Sequence, residues 1–309
     1  MRQHTPFVGL LPAVLTPFDA SGELNLAACE PHAELLVRDR AAGVFVGGTT
    51  GEFSALTFEE RLALAARWAA LVKGTALKLV VHVGSNCLAD SKHLAAHAQT
   101  LGAAAIATVA PSYVKPKSLD VLVQWCAELA AAAPETPFYF YDIPAMTGVA
   151  FPMVDFLEQA RTKIPTLAGL KFTNLDLMTF QRLLRADGGR FDVLFGFDEQ
   201  LLAAVVLGAQ GAVGSSYNFA SPLYNRLLAA ARANDLAAAR TEQYRGAELI
   251  VLMQKYGFLA SAKELMRLRG VDLGPVRLPN APMTAEQTAA FRREVAAAGI
   301  LGVIGAPGG

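Results

Sequence analysis

The sequence predicts an α/β protein, a (β/α)8 TIM barrel followed by a helical C-terminal extension. Eight short runs rich in Val, Ile, Phe and Tyr fall between Gly9 and Asn218. Alanine- and leucine-rich stretches of helical periodicity separate them, so the runs recur roughly every 20 to 35 residues, the spacing of parallel strands joined by crossover helices. No GxGxxG follows the first run, which weighs against the other arrangement of such units, an open doubly wound sheet that binds a dinucleotide. Eight units close a barrel and account for 309 residues without a second domain.

In order, the strand-like runs are "GLLPAVLTPF", "GVFVGG", "LKLVVHVG", "AAIATVAP", "PFYFYDIP", "LAGLKFTN", "DVLFGFD" and "GAVGSSYN". Between them, "TFEERLALAARWAALV" is amphipathic and opens on Thr57 and Glu60, the spacing of a capping box. "DSKHLAAHAQTLG" and "SLDVLVQWCAELAAA" read as further crossover helices. After Asn218 the pattern reads as helical throughout, to "TAEQTAAFRREVAAAG", and the glycine-rich "GVIGAPGG" reads as a frayed end. Residues 1–232 are taken as the barrel carrying the site and 233–309 as a helical extension packed on it, one functional domain.

Composition narrows the partners. The chain is 53% hydrophobic and 17% charged, enough apolar material for a large core. Its 27 basic residues balance 27 acidic ones, and no basic run exceeds two residues, so nothing points to nucleic acid or an anionic membrane. Cys29, Cys87 and Cys126 are far apart and lack a zinc spacing, so they read as reduced thiols, with no metal site. The first residues are interrupted by prolines and do not form a secretory signal, and "LAAVVLGAQGAVG" is too short and glycine-rich to span a bilayer. A cytoplasmic protein is expected.

The stretch "PTLAGLKFTNLD" places Lys171 in the middle of an apolar strand, where an ammonium is costly to keep. Alternation puts Lys171 on one face with Gly169 and Thr173, opposite Ala168, Leu170 and Phe172. Tyr139, Tyr141 and Ile143 share a face of the fifth run; Gly196 and Asp198 share one in the seventh, with Glu199 following. Thr49 and Thr50 end the second run in the glycine-flanked turn "GGTTGE", and Ser215 ends the eighth. Each has an ordinary reading alone: a snorkelling lysine, a core tyrosine, a helix-capping Asp198, a plain tight turn. Together they gather at the strand ends where a barrel builds its site.

The chemistry follows from that gathering. Desolvation disfavours the charged form of an amine, and a neutral amine attacks a ketone to form a Schiff base. The iminium is an electron sink for making or breaking a carbon–carbon bond. A phenol such as Tyr141 has the reach to move the proton of a neighbouring hydroxyl. Hydroxyls and backbone N–H groups around Thr49 and Thr50 suit a carboxylate.

At these residues the chain resembles the N-acetylneuraminate lyase and dihydrodipicolinate synthase superfamily of class I aldolases, and its lyase branch most closely. "GGTTGE", "YDIPAMTG", "GLKFTN", "GFDE" and "GAVGSSYN" follow the family's order and approximate spacing over residues 8 to 230. The resemblance implies that Lys171 forms the Schiff base, with no other cofactor, and that Tyr141 transfers the proton. It implies that Thr49 and Thr50 bind the pyruvyl carboxylate and that Tyr113 stands near the proton relay. It also implies a homotetramer built as a dimer of dimers, in which that tyrosine comes from a neighbouring subunit in the synthase branch. Synthases carry an arginine after the catalytic tyrosine to grip a carboxylate bidentately; Met146 stands there, which disfavours that activity. In the lyase branch an Asp–Glu pair holds a polyhydroxylated tail, and here Asp198 and Glu199 match it, with Thr173, Gly196 and Ser215 at neighbouring sugar-contact positions.

The implied reaction is reversible cleavage of N-acetylneuraminate to N-acetylmannosamine and pyruvate. Open beside it stand a sibling aldolase or dehydratase for another 2-oxo sugar acid, such as 2-keto-3-deoxygluconate, and a catalytically silent sugar-binding barrel. Asp142 is a departure, since relatives often carry Asn or His after the tyrosine; alternation turns it away from Tyr141.

Overall fold

A computed structural model describes residues 4–305. Eight parallel strands, β1 (Gly9–Pro12), β2 (Gly43–Val46), β3 (Lys78–His82), β4 (Ala105–Val109), β5 (Phe138–Asp142), β6 (Leu167–Phe172), β7 (Asp192–Phe195) and β8 (Gly211–Gly214), form one sheet. Its order runs β1-β8-β7-β6-β5-β4-β3-β2, so each strand lies beside its neighbour in sequence. The remaining edges meet: Ala13 bridges Phe45, Val14 N–H donates to Phe45 O at 3.0 Å, and Ala42 N–H donates to Leu10 O at 2.8 Å. The sheet is therefore a closed (β/α)8 barrel, and no strand edge is left to pair elsewhere.

The two-residue period of the strands sorts their side chains into two cores. Phe45, Val80, Ala107, Tyr139, Tyr141, Leu194 and Val213 fill the lumen. Leu10, Val44, Val81, Ile106, Phe140, Leu170 and Phe172 pack outward against the helices. Burying a side chain of this size contributes about 1.5–3 kcal/mol, so the outer layer supplies most of the hydrophobic stabilisation. Ala168 lies in the lumen cluster, on the face opposite to the one simple alternation assigns. The reason is a register shift: Phe138 pairs with Leu167, but Tyr139 pairs with Gly169, so β6 carries an extra residue at this point. Beyond the shift, alternation resumes and Tyr141 pairs directly with Lys171.

The crossover helices form where the sequence predicts them, as Phe58–Val72, Leu88–Thr100 and Leu119–Ala130. Thr57 and Glu60 make the full capping box. The C-terminal part is not helical throughout. Helices Tyr217–Arg232, Leu236–Tyr256 and Phe258–Leu268 are followed by an extended stretch from Val271, and a helix resumes at Ala285–Ala297. Gly274, Pro275, Pro279 and Pro282 keep this stretch from continuing the helix. Of the end read as frayed, 302–304 belong to a short helix, Ile300–Ile304, and 306–309 lie outside the described residues, as do 1–3 at the start of the segment read for a signal. Among the described residues, no helix is long and apolar enough to cross a membrane.

Candidate active site

A group of polar residues gathers at the C-terminal ends of the strands. Lys171 is 4% exposed, and its Nζ lies 3.9 Å from the centroid of the Tyr141 ring and 4.4 Å from that of Phe45. Among the described residues, no carboxylate is within ion-pair distance of that amine. Two aromatic faces, rather than a carboxylate, therefore flank the amine. Tyr141 is wedged edge-on between Phe45 at 5.9 Å and His82 at 6.3 Å, which fixes the plane of its ring.

His82 belongs to this cluster. Its Nδ1 is 2.8 Å from Gly47 O, a group that only accepts, so Nδ1 carries the hydrogen and Nε2 presents a lone pair. That Nε2 is buried without a partner among the described residues. Burial above all, then the positive charge of Arg61, holds the imidazole well below its ordinary pKa, so it is neutral; Lys171 adds to the same effect. Its place on the inward face of β3 is readable from alternation, but its neighbours Tyr141 and Phe53 are not.

Thr50 reaches across the mouth. Its Oγ1 is 2.6 Å from Ser215 Oγ, tying the turn after β2 to the loop after β8. Thr49, beside it, is half-buried. Asn218 braces the same loop, donating to Ala13 O and Ser215 O, each at 2.7 Å. It is buried inside "GSSYN" and carries no signal in the sequence beyond its place there.

On the other side, Thr173 follows β6 and Gly196 follows β7. A Cβ on Gly196 would come within 1.9 Å of Thr173 Oγ1, so only glycine lets the threonine occupy its position. Thr173 Oγ1 is itself buried without a partner among the described residues. The Asp–Glu pair divides. Glu199 is half-exposed, whereas Asp198 is 5% exposed and its Oδ2 accepts from Ser216 N–H at 2.7 Å and from Ser216 Oγ. Burial raises the Asp198 pKa to about 6, against the Ser216 hydrogen bonds. Gly214 makes room for it, since a Cβ there would lie 1.7 Å from Asp198 Oδ1.

Two predicted residues stand apart. Tyr113 is 89% exposed, in a loop held by Asn86, whose Oδ1 accepts from Tyr113 N–H at 3.2 Å. Met146 is 65% exposed, on the short helix Pro144–Thr147. Asp142 faces away from the lumen: Asn174 Nδ2 donates to it at 3.3 Å, and burial lifts its pKa to about 6.

With this geometry in place, the chain can be set beside known proteins. The profile of the dihydrodipicolinate synthetase family matches residues 6–298. N-acetylneuraminate lyase A of Xenopus laevis is 42% identical over 274 residues, covering 88% of this chain and 90% of that protein. The structure of Proteus mirabilis N-acetylneuraminate lyase superposes with a TM-score of 0.92 at 38% identity, over 95% of this chain and 99% of that one. A sialic acid aldolase structure from Aliivibrio salmonicida also gives 0.92, at 40% identity, over 95% of this chain and 97% of that one.

Proposed function

The chain belongs to the dihydrodipicolinate synthetase family, and within it we propose that it is an N-acetylneuraminate lyase, a Schiff-base carbon–carbon lyase. The observation that carries the reading is Lys171, buried against Tyr141 and Phe45 with no carboxylate partner among the described residues. Its amine attacks the C2 ketone of the open-chain sugar acid, and loss of water leaves the iminium. As the C3–C4 bond breaks, its electrons pass to the iminium to give an enamine. Tyr141, whose own proton has gone to the departing water, takes the C4 hydroxyl proton as C4 becomes the aldehyde carbon of N-acetylmannosamine, and then passes it to the enamine carbon. Protonation and hydrolysis of the enamine release pyruvate and restore the amine. No step calls for a metal, because the iminium takes up the electron pair.

Thr49 and Thr50 hold the carboxylate in this reading, while Thr173, Gly196, Asp198, Glu199 and Ser215 receive the hydroxylated tail. The buried, partnerless Thr173 Oγ1 and the half-exposed Glu199 support that assignment. Asp198, committed to Ser216, suits a role in shaping the tail pocket as much as in touching the sugar. The exposed Met146 supports the choice against dihydrodipicolinate synthesis, since a thioether cannot grip a second carboxylate. The reading extends to a cytoplasmic homotetramer, a dimer of dimers. The unbridged cysteines suit the compartment, and the exposed Tyr113 and Val114 suit an assembly in which Tyr113 serves a neighbouring site. Pyruvate release from N-acetylneuraminate and from 2-keto-3-deoxygluconate tests it. Cleavage of the first, lost in Lys171→Ala, is expected; efficient cleavage of the shorter acid alone would favour the sibling aldolase.

A further inference from the structure

The turn "GGTTGE" ends on a residue whose backbone and side chain both call for an explanation. Glu52 sits in the left-handed region, φ 54° and ψ 37°, where a non-glycine residue is strained unless its surroundings hold it. Its N–H donates to Thr49 O at 3.0 Å, so this conformation closes the turn that carries Thr49 and Thr50. Its side chain is buried and reaches Lys263, Arg277 and Asn280 of the C-terminal part.

There the carboxylate is held from two directions. Oε1 faces Lys263 Nζ at 3.1 Å, an ion pair rather than an aligned hydrogen bond. Oε2 accepts from Arg277 N–H at 2.9 Å and from Asn280 Nδ2 at 3.1 Å. Lys263, in the helix Phe258–Leu268, also donates to Pro275 O and lies over the Phe18 ring at 4.4 Å. Arg277 covers the same ring at 4.2 Å and grips Glu60 through both Nη atoms. Burial lowers the Lys263 pKa to about 8, and the Glu52 carboxylate opposes that shift. Such a pair stabilises little against an apolar replacement of both partners, and removal of one partner is what it cannot tolerate.

We infer that the Glu52–Lys263 ion pair positions the Thr49–Thr50 turn for the substrate carboxylate, so that the C-terminal helices help to build the binding site at the barrel mouth. The inference rests on the reading above, in which that turn binds the pyruvyl carboxylate. Glu52 and Lys263 are positioning residues: they act through the turn and touch no reacting atom. Because the turn holds a group present in both ground and transition states, its loosening weakens binding and spares the maximal rate.

The test is the pyruvate concentration that gives half-maximal borohydride labelling, measured with the full chain and needing no sugar. Glu52→Gln and Lys263→Met are each expected to raise it about tenfold or more while the maximal labelling rate stays within about threefold. The double variant is expected to raise it no further than the more affected single variant, since both changes remove the same ion pair; additive effects would overturn the inference. Asn280→Ala, which removes one bond at the half-buried rim, is expected to raise it by about twofold to fivefold and carries the test if a single charge variant fails to fold. Folded Glu52→Gln and Lys263→Met with unchanged half-saturation and only a lowered melting temperature would overturn the inference, as would an unchanged Asn280→Ala. A parent protein that pyruvate and borohydride do not label at all would overturn the reading beneath it.

Discussion

The floor and the mouth of the barrel use the same strands and treat polar groups in opposite ways. At the floor, Tyr139 OH donates to Asp192 Oδ2 at 2.7 Å and meets His4 Nε2, and Phe7 N–H donates to the same carboxylate oxygen at 3.0 Å. Two residues further along β5 and β6, Tyr141 and Lys171 open the mouth, where His82 Nε2 and Thr173 Oγ1 are buried with no partner among the described residues. A buried polar atom left unpaired costs about 1–3 kcal/mol, and in a native protein it marks stored strain or a place for a ligand. The floor is therefore finished without a ligand and contributes to stability. The mouth is left incomplete, and in the proposed reading it is where the substrate binds.

That contrast can be broken one residue at a time. Tyr141→Phe keeps the ring and removes the hydroxyl proposed to carry the proton. It is expected to lower kcat by about 10²–10⁴-fold with little change in melting temperature, read from steady-state cleavage and thermal melts. Gly196→Ala drives a methyl into Thr173, at 1.9 Å from its Oγ1. An overpacking cost of about 1–3 kcal/mol should appear as a loss of sugar-acid turnover, while pyruvate still labels Lys171; equal loss of both would mean that Thr173 does not separate the two subsites.

Asp142 sharpens the comparison from outside the lumen. Its pKa is raised to about 6 against an ordinary 3.8, so the folded state holds its proton more tightly than the unfolded chain does. Stability is fully present below pH 3.8 and is lost as pH rises through 6, by up to about 3 kcal/mol. Asp142→Asn should therefore raise the melting temperature at pH 8 and leave it nearly unchanged at pH 3.5. An equal gain at both pH values would mean that ionisation is not what costs stability there. The smallest effect on activity belongs to the floor. Tyr139→Phe removes one buried hydroxyl and should cost about 1–2 kcal/mol in denaturant unfolding while kcat stays within about twofold.

The legible parts of the molecule are those ruled by short periods. Strand spacing predicts the barrel, and the two-residue period alone brings Tyr141 and Lys171 to inward faces of adjacent strands, where they pair. The same rule misplaces Ala168, because nothing in "PTLAGLKF" announces the extra residue in β6. The extended stretch after Val271 reads as helix although its glycine and prolines are visible, a case of a strong pattern on both sides hiding a weak one between. His82 is recognisable as an inward residue but not as the neighbour of Tyr141, since three strands converge only in the closed barrel. Glu52 and Lys263 lie more than two hundred positions apart, as do Asp39 and Arg269, which form a second buried pair. Contacts of that range leave no local trace in a single sequence. Asp198 is legible from its face and its place in "GFDE", but nothing in "GAVGSSYN" distinguishes Ser216, which commits its carboxylate, from Ser215 beside it.

The central claim is that Lys171 lies in an apolar strand to act as a nucleophile. Its most direct measurement is the intact mass of the protein after incubation with pyruvate and sodium borohydride, followed by peptide mapping. One reduced pyruvyl adduct is expected, on the peptide containing Lys171 and absent from Lys171→Ala. A folded protein that stays unmodified while a control aldolase is labelled under the same conditions would contradict it.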